Sequence, residues 1–340
     1  MGNLLDVRDL RVRFKTAAPD RWAVNGVSFS MGAGEILGLV GESGSGKSVT
    51  AMSVSGLLPR DKTEVQGSIT LDGREILTCP EQELLQIQGN DLAVVFQEPM
   101  TSLDPVMRIG PQVEESLRVH TRLSAAERRE RALEALRQAE LPDPEAVYRR
   151  YPHELSGGML QRVMIAAAII SRPKLLLADE PTTALDVTIQ AQILQLLKEM
   201  QVKYNLTIVL ITHDLGVVAN IADRVAVMYA GDIVEIGTSD EIYYDPRHPY
   251  TWALLSSMPQ IGVKGEDLFN IVGTPPNLFA EIRGDAFAPR NPQALKIDFV
   301  RRPPYFTVSP THKAKTWLLD PRAPRVEPPA AVKMLREEGL

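Results

Sequence analysis

Short apolar segments alternate with turns and helical patterns along most of the chain. Side chains that alternate between apolar and polar predict β-strands at residues 4–14 and 22–31. Continuous apolar runs predict four further strands, and helical patterns separate the later ones, which favours a mostly parallel sheet covered on both faces. These four runs are residues 35–40, 92–96, 174–179 and 206–212.

A hairpin and a helix complete the predicted core. The hairpin covers residues 223–237, with its turn at Ala230, Gly231 and Asp232. Together with the alternating start of the chain, it indicates an antiparallel accessory sheet. The helix, residues 47–58, follows a glycine-rich turn.

Residues 100–172 change to helical patterns and are interpreted as a helical subdomain within the α/β domain. There, Ser124 and Glu127 have the spacing of a capping box, which predicts the start of a helix. Of the 25 prolines, 12 lie at or after residue 259, so long helices and central strands are not expected in the tail. The predicted domains are residues 1–258 and a C-terminal extension, residues 259–340.

Composition narrows the possible functions. The net charge of −6 argues against a sequence-independent grip on nucleic acid, which needs concentrated lysine and arginine. No apolar run reaches the roughly 18 residues of a membrane span, and the chain begins with aspartates where a signal peptide needs an apolar core. The single cysteine, Cys79, permits neither an internal disulfide nor a cysteine-based metal site. We expect a cytoplasmic protein that reaches a membrane only through partners.

The segment GESGSGKS, residues 41–48, fits the phosphate-binding pattern GxxxxGK[ST] between a predicted strand and a predicted helix. Its glycines let backbone N–H groups surround phosphate oxygens, and the helix N-terminus adds a favourable dipole. Lys47 supplies charge for the β- and γ-phosphates, and the Ser48 hydroxyl suits Mg²⁺. The motif predicts nucleotide binding but does not choose among kinases, GTPases, helicases and transporters.

Two later segments make that choice. LSGGMLQR, residues 155–162, places a serine and two glycines at the start of a helix, which is a second anion site. LLLADEPTTALD, residues 175–186, carries Asp179 and Glu180 at the end of an apolar strand. One molecule does not need two γ-phosphate sites, whereas two molecules that face each other head to tail use both.

With these segments in this order, the chain resembles the ATP-binding subunits of ABC transporters. Residues 41–48 resemble the family's Walker A, residues 155–161 its signature sequence and residues 175–179 its Walker B strand. The resemblance implies an α/β fold, the P-loop ABC-type nucleotide-binding domain, with a mostly parallel sheet core, an antiparallel accessory sheet, a helical insertion and here a proline-rich C-terminal extension. It also implies an ATPase in which two cassettes close around two ATP molecules.

The same resemblance implies catalytic roles for single residues. Glu180 polarises the attacking water, His213 contacts the γ-phosphate, and Gln97 binds Mg²⁺ or water and senses the helical insertion. Lys47 completes the expected catalytic set. The expected Mg²⁺ ligands are Ser48, Gln97 and Asp179.

Nucleotide recognition is assigned in the same way. Phe14 stacks on adenine if it holds the family's aromatic position, and Trp22 competes for that role. Asp186 resembles the residue that acts across the dimer. Leu160 stands where the pattern favours arginine, lysine or glutamine, so the exposed face of its helix is expected to be less polar. The full set is Phe14, Gly41, Glu42, Ser43, Gly44, Ser45, Gly46, Lys47, Ser48, Val49, Ser156, Gly157, Gly158, Gln161 and Asp186.

The C-terminal extension indicates the subfamily. PRHPYTWALLSSMP, residues 246–259, followed by GTPPNL and FAPRNP, resembles oligopeptide and dipeptide importer ATPases, as does QEPMTSLDP, residues 97–105. Relatives often carry four cysteines there that ligate an iron–sulfur cluster, and this chain has Asp285, Asn291, Asp298 and Thr316 at the matching positions. Oxygen atoms are poor ligands for such a cluster, so none is expected, while a hard cation on the two aspartates stays open. The cysteine-free form resembles Gram-positive oligopeptide importers.

The importer resemblance also implies partners and a location. The expected partners are a second, homologous but non-identical cassette, two membrane permease subunits and, indirectly, an external peptide-binding protein. The expected place is the cytoplasmic face of the membrane, and the expected cofactors are ATP and Mg²⁺. A dipeptide or a nickel or other metal chelate stays an alternative substrate.

Two other classes are disfavoured by the sequence. A soluble ABC ATPase acting on DNA or ribosomes would need two cassettes, a long coiled-coil insertion, a zinc module or a basic face, so no nucleic acid partner is expected. A P-loop kinase or GTPase would lack the LSGG helix.

Overall fold

The computed structural model describes residues 2–183, 185–258, 271–277 and 282–338. The chain forms two compact units, each drawn from separate stretches of the sequence. The predicted division at residue 258 stays a prediction, because it follows chain order and these units do not. The first unit combines the chain up to Leu4 with Met31–Ile36 and Leu71–Ile211, and the second combines Leu5–Ser30, Leu37–Thr70 and the chain from Thr212 onward.

The strands and helices are numbered here in chain order. The strands are β1 (Leu5–Phe14), β2 (Val24–Met31), β3 (Ile36–Val40), β4 (Thr63–Leu71), β5 (Arg74–Glu75), β6 (Leu92–Val95), β7 (Leu175–Asp179), β8 (Thr207–Thr212), β9 (Arg224–Tyr229), β10 (Asp232–Thr238), β11 (Phe306–Thr307) and β12 (Lys313–Ala314). The helices are α1 (Lys47–Val54), α2 (Glu81–Ile87), α3 (Pro99–Ser102), α4 (Ile109–Val113), α5 (Glu115–His120), α6 (Ala125–Gln138), α7 (Pro144–Arg149), α8 (Gly157–Ile169), α9 (Val187–Tyr204), α10 (Leu215–Ala219), α11 (Ser239–Tyr244), α12 (Pro249–Ser256) and α13 (Ala330–Glu338).

Parallel strands form the sheet of the first unit. β7 lies between β6 and β8, with Leu175 opposite both Leu92 and Thr207. Leu176 and Leu177 are fully buried. Continuous apolar runs are typical of parallel strands covered on both faces, and they explain why the sequence predicted all three strands.

The second unit carries strands in the order β11-β12-β10-β9-β3. β9 and β10 form the predicted hairpin, and φ is 48° at Ala230 and 82° at Gly231, as a two-residue hairpin turn requires. The assignment of this hairpin to the accessory sheet is wrong, because β9 pairs in parallel with β3. Both hairpin strands are apolar at nearly every position, which suits a buried sheet better than a half-exposed one.

A second sheet of this unit has the order β2-β1-β4. The sequence predicted β1 and β2, but not β4. Its signal was an alternation that ends in Ile69 and Leu71, both fully buried. Short alternating strands of this kind carry little information in a single sequence.

Helices occupy the segment between α3 and α8. The predicted capping box is confirmed, since Ser124 N–H donates to Glu127 Oε2 at 2.7 Å and Glu127 N–H donates to Ser124 Oγ at 3.3 Å. By contrast, α1 is shorter than predicted. Gly56, with φ of 69°, turns the chain, and Leu57 N–H donates to Met52 O at 2.9 Å, which closes the helix end.

Candidate functional site

The loop of residues 41–48 joins β3 to α1 in the second unit. Gly46 precedes the helix with φ of 103°, and a Cβ atom there would lie 2.8 Å from Ala23 O. At Gly41, a Cβ atom would lie 2.1 Å from Met228 O. The loop passes close to two backbone segments, so Gly41 and Gly46 leave no room for a side chain.

Lys47 is the first residue of α1 and is only 5% exposed. Its ammonium group donates to the backbone oxygen of Gly41 at 2.7 Å and to that of Glu42 at 3.0 Å. A buried ammonium group needs oxygen atoms around it, and the loop supplies them from its own backbone. The positive charge is thereby held inside the loop, where the motif needs it for phosphate oxygens.

The other loop residues divide into supporting and accessible ones. Ser45 is buried, and its carbonyl accepts a hydrogen bond from Gly231 N–H at 2.8 Å, which ties the loop to the turn of the β9–β10 hairpin. Ser43, Gly44 and Ser48 are exposed. These three accessible residues belong to the predicted phosphate-binding set.

The side chain of Glu42 is held by residues that no sequence motif had indicated as part of the site. Arg290 donates to both carboxylate oxygens, at 2.6 and 2.9 Å, and Glu42 N–H donates to Tyr250 Oη at 2.9 Å. Arg290 and Glu42 are 248 residues apart in the chain. No local pattern links positions so distant, although Arg290 stands in the FAPRNP segment that indicated the subfamily.

In the first unit, Glu180 follows β7 and lies next to Gln97. Its φ of 45° is a left-handed conformation that costs a residue with a Cβ atom about 1–3 kcal/mol. The amide of Gln97 donates to Glu180 Oε2 at 3.0 Å, and Thr183 Oγ1 donates to the same oxygen at 2.8 Å. Two predicted catalytic residues are thus in direct contact, while Asp179, the last residue of β7, lies opposite Ile211 on β8.

The LSGG segment forms the start of α8. Ser156 is the N-cap, with its hydroxyl accepting from Met159 N–H at 3.4 Å, and Ser156 and Gly157 are exposed. A Cβ atom at Gly158 would lie 3.0 Å from a methyl group of Ile189, so glycine lets α8 and α9 approach closely. Asp186 is the N-cap of α9 and accepts from Ile189 N–H at 3.0 Å.

Two residues of α8 for which the sequence made predictions are buried. Leu160 and Gln161 are each 2% exposed. The expectation that Leu160 makes the exposed face less polar is wrong, because the residue belongs to the buried face. The assignment of Gln161 to the nucleotide stays a prediction that its burial in this chain does not favour.

The remaining predicted residues of the second unit lie near strand ends. His213 directly follows β8 and is exposed. Phe14 ends β1 and is half-buried, as is Trp22, whose ring centre lies 5.8 Å from the guanidinium of Arg13. Arg13 covers one face of Trp22, so adenine stacking by Trp22 would need its other face; both aromatic residues stay candidates.

In the tail, each residue at the four cysteine-matching positions caps a local turn. Asp285 accepts from Phe287 N–H at 3.0 Å, Asn291 from Gln293 N–H at 2.9 Å, Asp298 from Leu295 N–H at 2.6 Å and Thr316 from Leu318 N–H at 3.3 Å. Asn291, Asp298 and Thr316 are also buried. These side chains hold the backbone of the extension through hydrogen bonds.

Within the described parts of the chain, no three histidine, cysteine, aspartate or glutamate side chains are grouped so that they could hold a metal ion. No helix in the described residues combines the length and apolar composition needed to cross a membrane.

Comparison with known proteins gives matches over nearly the whole chain. The family "ABC transporter" matches residues 24–183, and "Oligopeptide/dipeptide transporter, C-terminal region" matches residues 234–297. The oligopeptide transport ATP-binding protein OppD of Bacillus subtilis is 54% identical over 97% of this chain and 93% of its own length. The dipeptide transport ATP-binding protein DppD of Lactococcus lactis is 54% identical over 96% of this chain and 93% of its own.

Solved structures agree with this fold. A dimeric post-hydrolysis ATP-binding cassette bound to ADP and Pi is 30% identical, with a TM-score of 0.62 over 69% of this chain and 98% of that chain. CbiO1 from Clostridium perfringens, part of an ABC transporter complex, is 28% identical, with a TM-score of 0.62 over 72% of this chain and 92% of that chain.

Asp285 makes the stability of the extension depend on pH. Burial raises the pKa of Asp285 to about 7, against a hydrogen bond from Phe287 N–H that lowers it, and repulsion by Asp298 and Asp232 raises it further. Because the folded-state pKa is raised, the stabilising contribution is complete only below the ordinary carboxyl value of 3.8, and it is lost progressively as the pH rises from there through about 7. Asp285→Asn, which keeps the accepting oxygen without the charge, should raise the Tm by about 3 °C at pH 8 and less at pH 5, measured by calorimetry.

Asp320 provides the contrasting variant. Hydrogen bonds from Arg322 lower the pKa of this carboxyl, so Asp320→Asn should bring no gain in Tm at pH 8. Equal gains for both variants, or a gain for Asp285→Asn that is larger at pH 5, would contradict the burial of a charged Asp285.

Proposed function

Because the chain belongs to the ATP-binding proteins of ABC transporters, in their oligopeptide and dipeptide group, we propose that it powers an oligopeptide importer. The chain binds ATP and hydrolyses it, as the cassette family does. The observation that carries the peptide assignment is the match of residues 234–297 to the C-terminal region of peptide transporters. That region contacts the phosphate loop at Glu42 through Tyr250 and Arg290.

A dipeptide importer is the second candidate. A dipeptide relative and an oligopeptide relative are equally similar to the chain, so identity does not rank these two substrates. The relatives from Bacillus subtilis and Lactococcus lactis are both named as peptide transport proteins, which supports a peptide substrate over a nickel or other metal chelate.

We assign each part of the hydrolysis chemistry to individual residues. Lys47 and the N–H groups of residues 41–48 hold the β- and γ-phosphates, and Glu180 orients and polarises the attacking water. The hydrogen bond from Gln97 to Glu180 supports this role, since it fixes the carboxylate and joins it to the chain that leads into α3. His213 contacts the γ-phosphate, and Phe14 or Trp22 stacks on adenine.

We assign Mg²⁺ to the oxygen atoms of Ser48, Gln97 and Asp179. Hydroxyl, amide and carboxylate oxygens are the donors that this cation takes, so the residues present fit it. When bound, the cation would neutralise charge on the β- and γ-phosphates. An iron–sulfur cluster is not part of the proposal, because the four cysteine-matching residues offer no thiolate and each is engaged as a local cap.

Coupling to transport follows from dimerisation. In the proposal, ATP binding closes two cassettes so that Ser156, Gly157 and Gly158 of one chain address the nucleotide on the loop of the other. Asp186 stands beside this surface at the start of α9. The helical segment from α3 to α8 passes the motion to a membrane permease, and hydrolysis reopens the pair.

We propose the following assembly around the cassette. The second cassette is homologous and not identical, two permease subunits cross the membrane, and an external binding protein delivers peptide. The chain sits on the cytoplasmic side of the membrane and has no nucleic acid partner. Peptide selectivity then belongs to the other subunits, because the cassette contacts nucleotide and permease only.

Purification of the intact membrane complex tests the proposed function. We expect permease subunits and a second cassette to co-purify, and peptides of several residues to stimulate ATP turnover more than dipeptides do, measured by phosphate release. Stimulation by dipeptides alone would favour the second candidate. Co-purification of nucleic-acid factors in place of permeases would overturn the importer assignment.

Substitution of Glu180 tests its catalytic role. Glu180→Gln should keep ATP affinity but lower steady ATP turnover by about 100-fold or more, because the amide cannot polarise water as a base. The matched variant Glu199→Gln alters an exposed carboxylate of α9 in the same unit and should keep wild-type turnover. Undiminished turnover in Glu180→Gln would remove Glu180 from the mechanism.

Absorbance tests the proposal that the extension works without a cluster. Protein purified without oxygen should lack the broad iron–sulfur band at about 400 nm, and its iron content should be negligible. A band with stoichiometric iron would contradict the argument from ligand chemistry.

A further inference from the structure

The second residue of the phosphate loop is held at three points. The carbonyl of Glu42 accepts from Lys47 Nζ at 3.0 Å, its N–H donates to Tyr250 Oη at 2.9 Å, and its carboxylate is paired with Arg290. Lys47 belongs to the loop itself, whereas Tyr250 and Arg290 belong to the region that matches peptide transporters. The importer-type region therefore contacts the loop directly.

Arg290 uses all five of its N–H donors in this arrangement. Nη1 donates to Glu42 Oε2 at 2.6 Å and to Tyr229 Oη at 3.2 Å, and Nη2 donates to Glu42 Oε1 at 2.9 Å and to Ile271 O at 3.4 Å. Nε donates to Val272 O at 3.1 Å. A guanidinium has five such donors in a rigid fork, so this geometry fixes the position of Glu42 as well as its charge.

The pair lies in a protected environment. The side chain of Arg290 is 5% exposed and that of Glu42 is 24% exposed. Tyr229, Tyr250 and Phe287 pack against one another beside it, with ring centres 4.5–5.4 Å apart. Charges with little access to water interact more strongly than exposed ones, so the Glu42 charge would be felt in the loop if Arg290 were absent.

We propose that Arg290 is a positioning residue for ATP binding, which holds Glu42 and offsets its negative charge beside the phosphate loop. A carboxylate at the second loop position would otherwise repel the triphosphate. The C-terminal extension then does more than stabilise the chain, because it sets the charge of the loop that receives ATP. The inference rests on the proposed role of residues 41–48 in binding ATP.

Substitutions in the full-length chain test this role through ATP affinity, measured by titration calorimetry. Arg290→Gln leaves an unpaired carboxylate and should weaken ATP binding about tenfold. Glu42→Gln added to it removes that carboxylate and should restore affinity to within about threefold of the wild type. In turnover assays, Arg290→Gln should raise KM for ATP and leave kcat nearly unchanged, a split that loss of folded protein would not produce.

Lys315→Gln is the matched control. Lys315 is also a cation of the extension paired with a carboxylate, Asp232 of β10, at 2.6 Å, and its removal changes the net charge equally. The ATP affinity of Lys315→Gln should stay within about twofold of the wild type even if its Tm falls.

If Arg290→Gln does not fold, Arg290→Lys keeps the charge and should bind ATP more tightly than an Arg290→Met protein purified in the same way.

Three outcomes would overturn the inference: wild-type affinity in folded Arg290→Gln, an equal loss in Lys315→Gln, or a double variant as weak as Arg290→Gln. Lys47→Met separates this failure from failure of the proposed function. It should abolish ATP binding, and if it does not, the loop itself is misassigned.

Discussion

A buried ammonium group is the constraint around which the second unit is arranged. The burial of Lys47 is stabilised by loop carbonyl groups that turn toward Nζ, and that turn needs glycine where the backbone passes close to Ala23 and Met228. Met228 belongs to β9, and the turn that follows this strand contacts the loop as well, since Gly231 N–H donates to the carbonyl of Ser45. Fold and phosphate chemistry thus depend on one set of backbone contacts.

The phosphate loop, the buried strands and the hairpin could be predicted from the sequence, because the signals that indicate them are local. The spacing of residues 41–48 encodes a loop that few other structures need, and the apolar runs of β3, β7 and β8 encode strands buried on both faces. The reciprocal bonds of Ser124 and Glu127 act over three residues, so their spacing also predicts them. For the same reason, the position of the hairpin was found.

What the sequence left out is set by tertiary packing. A hairpin pattern does not say which strand its first arm will adopt as a neighbour, so the parallel pairing of β9 with β3 was missed. The burial of Leu160 depends on which face of α8 meets the rest of the unit, and the helical period alone leaves that choice open. The pairing of Glu42 with Arg290 joins residues whose separation carries no periodic signal.

The saturated guanidinium of Arg290 has a consequence for how this family changes over time. Every N–H donor of Arg290 is used, so a shorter or differently shaped cation cannot reproduce the contacts. Loss of the arginine would leave the Glu42 carboxylate without this partner in a place with little access to water. Drift at either position is then constrained by the other. Among relatives, the residues at positions 42 and 290 should therefore change together. Lineages in which both have changed would be those whose C-terminal extension contacts the phosphate loop in a different way.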